Sequence, residues 1–243
     1  MYDLHCHILP CMDDGPSSVE ETRKMLKIAV QEGIQVIAAT HHFFDDETTI
    51  EDYLGLWESR YKQIQSVLEG FKKDIQIVKG AEVMISPFLT QLDGLHRLCI
   101  NEGRYLLIEL PMIDLPQFTE EVIHNLQVKG IVPILAHPER NYRIANNPDL
   151  LNPLIELGAL VQINTGSITG LFGKKIRRCA KTLFKNNMAH LIGTDAHSAV
   201  KRPPEMRKSA QILERWVGQQ RAETILVENP RAIVNNIILE VIN

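Results

Sequence analysis

What this sequence has little of narrows the field first. Only four of its 243 residues are cysteine, at Cys6, Cys11, Cys99 and Cys179, with no CxxC pair among them. Neither a zinc ribbon nor a disulfide framework is indicated, and reduced thiols are expected. No apolar run approaches the roughly 20 residues that a membrane helix needs, so no membrane insertion is expected. Positive charge is not in surplus: 26 Lys and Arg face 30 Asp and Glu, for a formal net charge of -4. That removes the electrostatic case for nucleic acid or an anionic membrane as the general partner. The N-terminus enters an apolar strand without a basic region or cleavage signal, so a cytoplasmic location is the default expectation. There is no repeat, low-complexity tract or linker, and residues 1–243 are expected to form one domain.

What is present is a rhythm of short apolar runs and helical segments. After a strand from Tyr2, Ser18 and Glu21 form a capping box for a helix to residue 32, closed by Gly33. Apolar strands follow at 34–40, 74–80, 105–110, 131–136, 159–164 and 189–194. Between them helices are expected at 50–69, 119–129, 148–157 and 173–187, the last of them basic, with a short helix or turn at 87–95. Two C-terminal helices are expected at 203–218 and 230–241. Strands that alternate with helices run parallel and are joined by crossovers. The expected fold is therefore α/β, a seven-stranded TIM-like barrel, in which chemistry gathers at the C-terminal ends of the strands.

Those ends are where the ionisable residues fall. His5 and His7, two apart on the first strand, share one face and leave Cys6 on the other. His42, Glu82, Glu109, His137, Asp195 and His197 end or closely follow later strands, and Asp14 follows the first. His41 competes with His42, since one of the pair faces the barrel centre, and Asp13 raises the same ambiguity beside Asp14. His96, His124 and His190 have no such partners and are expected at the surface. Five histidines and four carboxylates exceed what one ion of four to six ligands can use, so two or three metals bridged by a carboxylate are expected. A His and carboxylate set without thiolate suits Mn, Fe or Zn, with Mg as a further option.

Arg140 and Arg202 leave the ends of ligand-bearing strands, and a guanidinium fork matches phosphate oxygens bidentately. Three divalent ions against four carboxylates would leave an anion-attracting site. The chemistry implied is phosphomonoester hydrolysis: a water acidified between metals attacks phosphorus while metal and arginines hold the oxygens. His42, His137 and Asp195 are the candidates to protonate the leaving group.

DLHCHILPCMDDGP from Asp3, AATHH from Ala38, KGAEV from Lys79, YLLIELP from Tyr105, ILAHPERN from Ile134, LFGKK from Leu171, GTDAHS from Gly193 and RPP from Arg202 together resemble the PHP (polymerase and histidinol phosphatase) superfamily. Within it they resemble the bacterial manganese-dependent protein-tyrosine phosphatases of capsule and exopolysaccharide operons. The resemblance implies a distorted (βα)7 barrel, a trinuclear centre on the nine residues named above, and phosphate binding by Arg140 and Arg202. The third histidine is carried onto His42 by its spacing from Gly33 and Thr40. The implied substrate is phosphotyrosine on an autophosphorylated bacterial tyrosine kinase that controls polysaccharide assembly.

A cysteine-dependent tyrosine phosphatase needs Cys, five residues, then Arg, so that amides and guanidinium cradle phosphate around a thiolate. Here the sixth residue after each cysteine is Met12, Ser17, Tyr105 or Lys185. Two other readings stand beside the main one: a small-molecule phosphatase, such as a histidinol-phosphate phosphatase, and a non-catalytic metal-binding module.

Overall fold

Apolar runs of this length bury both faces as strands of a covered parallel sheet, here between a barrel interior and a coat of helices. In the computed structural model, which describes residues 1–239, the strands are β1 (Tyr2–Cys6), β2 (Val36–Phe43), β3 (Gln76–Met84), β4 (Tyr105–Glu109), β5 (Val132–Ala136), β6 (Leu160–Asn164) and β7 (Leu191–Gly193). Each pairs in parallel with the next, in chain order. The sheet curls until its edges meet just past the strands: Asp195 N–H donates to His5 O at 2.7 Å and His7 N–H to Ala196 O at 2.9 Å. The product is a nearly closed, distorted (βα)7 barrel.

Among the described residues ten α-helices accompany the strands: α1 (Val19–Glu32), α2 (Ile50–Leu68), α3 (Thr119–Val128), α4 (Tyr142–Asn146), α5 (Asn152–Glu156), α6 (Thr165–Thr169), α7 (Lys174–Lys185), α8 (Arg207–Val217), α9 (Gln219–Glu223) and α10 (Asn229–Val234). The caps follow from the residues. Ser18 Oγ accepts the Glu21 N–H, and Gly33 ends α1 in the left-handed region at φ 81°. The Glu21 carboxylate takes the Ser17 N–H rather than that of Ser18, so the capping box is shifted by one residue. From α2, Tyr53 Oη donates to Gly80 O at 2.9 Å and Trp57 Nε1 to Ala39 O at 3.1 Å, tying that helix to β2 and β3.

Two apolar layers result. Leu4, Val36, Ala38, Val78, Tyr105, Leu107, Ile134, Leu160 and Leu191 fill the barrel interior, joined from below by Ile233 and Val234 of α10. A larger cluster lies between the outer face of the strands and the helices. On β1 the register slips between Asp3 and Cys6. This bulge lets Leu4 point into the interior and His5 and His7 into the site, while Cys6 turns to the outer layer.

The structure moves several expected boundaries. β2 and β3 run past residues 40 and 80 because the ladder continues through His41–Ala81, His42–Glu82 and Phe43–Val83. The segment at 87–95 holds one 3-10 turn, Leu89–Gln91, and two more follow by Glu102. α4 and α6 were not expected; at five residues they carry too little periodicity to read. The helix expected at 230–241 starts earlier, as α9 and a π turn (Thr224–Glu228), and ends at Val234; residues 240–241 lie outside the described residues. The π turn stands just before Pro230, which has no N–H for a regular turn, and Asn236 at φ 55° follows the helix end. His96 and His124 are exposed as expected, but His190 is buried. It lies at the entry to β7, where its Nδ1 accepts the Val161 N–H at 3.0 Å.

Candidate metal centre

Period-two alternation lifts polar residues to the top of an apolar bore. Above Val36 and Ala38 the same face of β2 presents Thr40 and then His42; above Val78 on β3 stand Gly80 and Glu82. The inward line on β4 ends at Glu109, and on β6 it ends at Gln162 and Asn164. Past β7 it reaches Asp195, and past β5 the chain turns at His137. Both His137 (φ 31°) and Asp195 (φ 52°) hold left-handed backbone, a strained choice for residues other than glycine. Gly193 is required between them and β1, since a Cβ there would lie 2.8 Å from His5 Cβ.

Glu82 is at the middle of the cluster. Its Oε2 lies 3.1 Å from His5 Nε2, 3.2 Å from His7 Nε2 and 3.2 Å from His42 Nδ1, and its Oε1 lies 3.0 Å from His137 Nε2. His5 Nε2, His7 Nε2, His42 Nδ1 and Glu82 Oε2 are all buried, and none has a hydrogen-bond partner among the described residues. Buried polar atoms are left so only when something else satisfies them. A shared divalent cation does this for imidazole nitrogens facing a carboxylate, so the donor set fits a metal centre.

The ring orientations agree. His5 Nδ1 contacts Gln162 Oε1 at 2.8 Å, His7 Nδ1 contacts Asp13 Oδ2 at 2.7 Å, and His197 Nδ1 contacts the Asp195 carbonyl at 2.9 Å. An oxygen acceptor behind each Nδ1 holds the proton there and leaves Nε2 bare toward the site, the arrangement found around metal-ligating histidines.

The nine residues expected as ligands come together in three overlapping groups, with ligand atoms in each lying within 4.8 Å of one another. They are His7, Asp14, His42 and His197; His5, Glu82, His137 and Asp195; and His42, Glu82 and Glu109. A fourth group, His7, Asp13 and His41, stands behind the first. His41 points away from the centre: its Nδ1 lies 2.7 Å from Asp13 Oδ1, and its Nε2 accepts the Leu9 N–H at 2.9 Å. Asp14 is exposed at the rim, 3.2 Å from His197 Nε2.

The electrostatics show how tightly these charges are coupled. Burial disfavours charge on His5 and His7, yet the carboxylates around them prevail, pushing His5 up to about 9 and His7 up to about 10. Without a cation among them both rings take a second proton at Nε2, which a bound cation would displace. Burial together with neighbouring Glu82 raises Glu109 to about 7. Burial and the adjacent His7 ring lower His197 to about 3, which keeps it neutral, as a ligand must be.

Arg140 and Arg202, both half-buried, converge on one atom. Arg140 Nη1 lies 2.9 Å from Asp195 Oδ2, Arg202 Nη2 contacts the same oxygen, and Asn164 Nδ2 donates to it at 2.7 Å. Phe172 lies under the Arg140 guanidinium, 4.5 Å from it. Beside His42 and Asp14 opens a cleft of about 510 Å³, walled by Met12, Phe44 and Leu56 among others.

Asp13, Gln162 and Asn164 were not assigned from the sequence. Gln162 and Asn164 had a usable signal, for they continue the inward parity of β6 above Leu160. Asp3 was missed as well. It is fully buried, accepts the Thr194 N–H at 2.9 Å and so ties β1 to β7.

A parallel barrel that collects imidazoles and carboxylates at the C-terminal ends of its strands belongs to the class of metal-dependent TIM-like hydrolases. Histidinol phosphate phosphatase from Lactococcus lactis shares the fold, with a TM-score of 0.56 and 16% identity over 93% of this chain and 94% of that one. More narrowly, the chain belongs to the family of capsular polysaccharide synthesis proteins CpsB/CapC, which it matches over residues 1–235. It is 32% identical over 244 residues to the tyrosine-protein phosphatase YwqE of Bacillus subtilis, covering 97% of this chain and 92% of that protein. The crystal structure of YwqE, described with that of CpsB from Streptococcus pneumoniae as unique metal-dependent tyrosine phosphatases, superposes with a TM-score of 0.88. That match has 33% identity and covers 98% of this chain and 96% of the other.

Proposed function

We propose that this chain is a metal-dependent protein-tyrosine phosphatase whose residues His5, His7, Asp14, His42, Glu82, Glu109, His137, Asp195 and His197 hold three divalent ions. Manganese is the first candidate, with iron, zinc or magnesium behind it. The observation that carries this reading is the set of buried, unpartnered nitrogens of His5, His7 and His42 facing Glu82 Oε2, next to two arginines gathered on Asp195. Divalent ions there supply a nucleophile from water at neutral pH and polarise the phosphoryl oxygens.

The chain's own residues do the rest. Arg140 and Arg202 exchange the Asp195 oxygen for phosphoryl oxygens, which they bind as planar forks. Asp195 stays ionised: burial opposes its charge, but His5, His137 and Arg202 prevail, and its carboxyl is held at about 2. A carboxyl that acidic is a poor proton donor. Of His42, His137 and Asp195, His42 borders the open cleft, but burial lowers its pKa and it is one of the ligands proposed above. It therefore faces the leaving tyrosyl oxygen as a neutral ring, and that oxygen takes its proton from solvent in the cleft. Phe44, Met12 and Leu56 give the aryl ring an apolar wall. The phosphoprotein we assign is an autophosphorylated tyrosine kinase of polysaccharide assembly. We place the enzyme in the cytoplasm as a single domain, a setting that its four free cysteines suit. No helix among the described residues is long and apolar enough to cross a membrane.

The test is to strip the protein with chelator and assay a phosphotyrosine peptide and histidinol phosphate with Mn restored, alongside His137→Ala and Asp195→Ala. Metal-dependent turnover of the peptide, absent from both variants, supports the reading. Preference for histidinol phosphate makes it a small-molecule phosphatase, and metal binding with no turnover makes it a non-catalytic module.

A further inference from the structure

Helix α7 is built against its own stability. Its twelve residues, KKIRRCAKTLFK, include six cations and no acid. Lys174, Lys175, Arg177, Arg178, Lys181 and Lys185 are all exposed, and none is within ion-pairing distance of a carboxylate among the described residues. Lys174 and Lys175 occupy the first turn, where the helix dipole opposes positive charge. Lys174 with Arg178, Arg177 with Lys181, and Lys181 with Lys185 are like-charge pairs four apart, each unfavourable. Arg177 Nε donates to Ile168 O of α6 at 2.9 Å and Lys175 contacts Asn146 Oδ1, but the side chains of Lys174, Arg178, Lys181 and Lys185 have no hydrogen-bond partner on the fold among the described residues, on a chain of net charge -4.

The face is also shaped. Lys174, Arg177, Arg178 and Lys181 surround a hollow of about 310 Å³ together with Trp216 of α8. The ring of Trp216 lies 5.7 Å from Arg177 and 5.8 Å from Lys181. At its N-terminal end the face runs into the site described above. Phe172, two residues before Lys174, lies under Arg140, and Lys175 Nζ sits 4.9 Å over the ring of Tyr142, two residues after Arg140.

From this we infer that the basic face of α7 docks an acidic segment of the same polypeptide that presents its phosphotyrosine to Arg140 and Arg202. The inference rests on the phosphatase reading and adds to it a preference for what flanks the target tyrosine. A polypeptide leaving the site beside Arg140 and Tyr142 meets the first turn of α7, Lys174 and Lys175, and can follow the helix. From Lys174 to Lys185 is roughly 17 Å at 1.5 Å per residue, which about five extended residues span. A hollow around an aromatic ring suits a chain with carboxylates better than a flat lipid surface.

The experiment compares wild type with K174E/R178E/K181E. These positions are exposed; the reversal at 174 favours the helix N-terminus, and that at 181 sets an opposite charge four residues from both Arg177 and Lys185, so the fold is kept. With Mn restored, kcat/KM is measured on phosphotyrosine peptides carrying a run of glutamates before or after the target residue, on the same peptides with alanines, and on p-nitrophenyl phosphate. Wild type is expected to prefer one glutamate peptide over its alanine counterpart by about tenfold at low salt, less as salt screens the charges. The variant is expected to lose that preference while its rate on p-nitrophenyl phosphate stays unchanged. Equal rates on glutamate and alanine peptides in wild type, or a preference that survives in the variant, overturn the proposal.

Binding of a fluorescent unphosphorylated glutamate peptide is read in parallel. It reports docking even if no phosphate ester is hydrolysed, which would be a failure of the phosphatase reading alone. Binding to wild type but not to the variant supports the docking face, and binding to neither overturns it. Phosphatidylglycerol vesicles are the last arm: vesicle binding lost in the variant, without any peptide preference, assigns the face to a membrane and overturns the proposal.

Discussion

Asp13 Oδ2 lies 2.7 Å from His7 Nδ1, on the side of the ring away from Glu82, and the other Asp13 oxygen lies 2.7 Å from His41 Nδ1. Despite burial, the two histidines hold the Asp13 carboxyl well below the usual range, so it remains an anion. His41 thus acts through Asp13 on His7. It orients an imidazole that faces Glu82, which it does not itself accompany into the site.

The first prediction follows from that chain. Asp13→Asn weakens the acceptor behind His7, and metal affinity falls by about 10- to 100-fold. Activity is expected to return in large part at excess Mn. A metal titration of both proteins checks it, and an unchanged affinity would mean that packing alone orients His7.

Arg140→Lys and Arg202→Lys keep the charge but lose the planar fork. The loss of one charge-assisted hydrogen bond, about 1.5–3 kcal/mol, corresponds to roughly 10- to 100-fold in kcat/KM. Inhibition by inorganic phosphate should weaken in the same variants. Steady-state kinetics on p-nitrophenyl phosphate decides the matter, and wild-type values from both variants would remove the arginines from phosphate binding.

Thiol reagents and chelators should act oppositely. Cys6, Cys99 and Cys179 are buried and Cys11 alone is exposed. Burial also pushes the Cys99 and Cys179 thiols up to about 12, which keeps them unreactive. Iodoacetamide is expected to label Cys11 and leave turnover intact, whereas chelator abolishes it. Mass spectrometry of the labelled protein beside its residual activity tests this.

His190 should make stability depend on pH. Burial, then the charge of Arg221, lowers its pKa from an ordinary 6.5 to about 4. The unfolded chain therefore binds the proton more readily, and stability is full above pH 6.5 and declines as pH falls from there toward 4. The full effect is at most about 3 kcal/mol. Replacing His190 by Gln should lower stability at pH 7.5 by about 1 kcal/mol, for the Val161 N–H it satisfies. It should also flatten the difference across that pH window. Urea melts at pH 7.5 and 5.0 on both proteins measure the two terms, and parallel pH slopes would exclude His190.

The barrel was legible because its strands are separate apolar runs between glycines and helix caps, and because local pattern alone makes such strands parallel. The helices that were read are long enough to repeat; α4 and α6 are not. His5, His7, Glu82, Glu109, His137, Asp195 and His197 stood out because strand ends are the one place in an α/β barrel where polar side chains can converge. Choosing between His41 and His42, or Asp13 and Asp14, needed the tertiary structure. On β2 neighbours face opposite ways, and the register with Glu82 shows His42 inward. Asp13 and Asp14, past the end of β1, are told apart by their contacts, Asp13 behind His7 and His41 and Asp14 beside His197 Nε2. Parity along β6 marked Gln162 and Asn164 as inward, but what they bond to, like the meeting of the two arginines on Asp195 Oδ2, needed the tertiary structure as well. Their partners are distant in sequence, and hydrogen bonds between distant residues leave no local pattern. Sequence by itself determined the kind of fold and the chemical composition of the site. The closure of β1 against β7 decided which oxygen faces which nitrogen, since that step alone sets residues 190 positions apart within hydrogen-bonding distance.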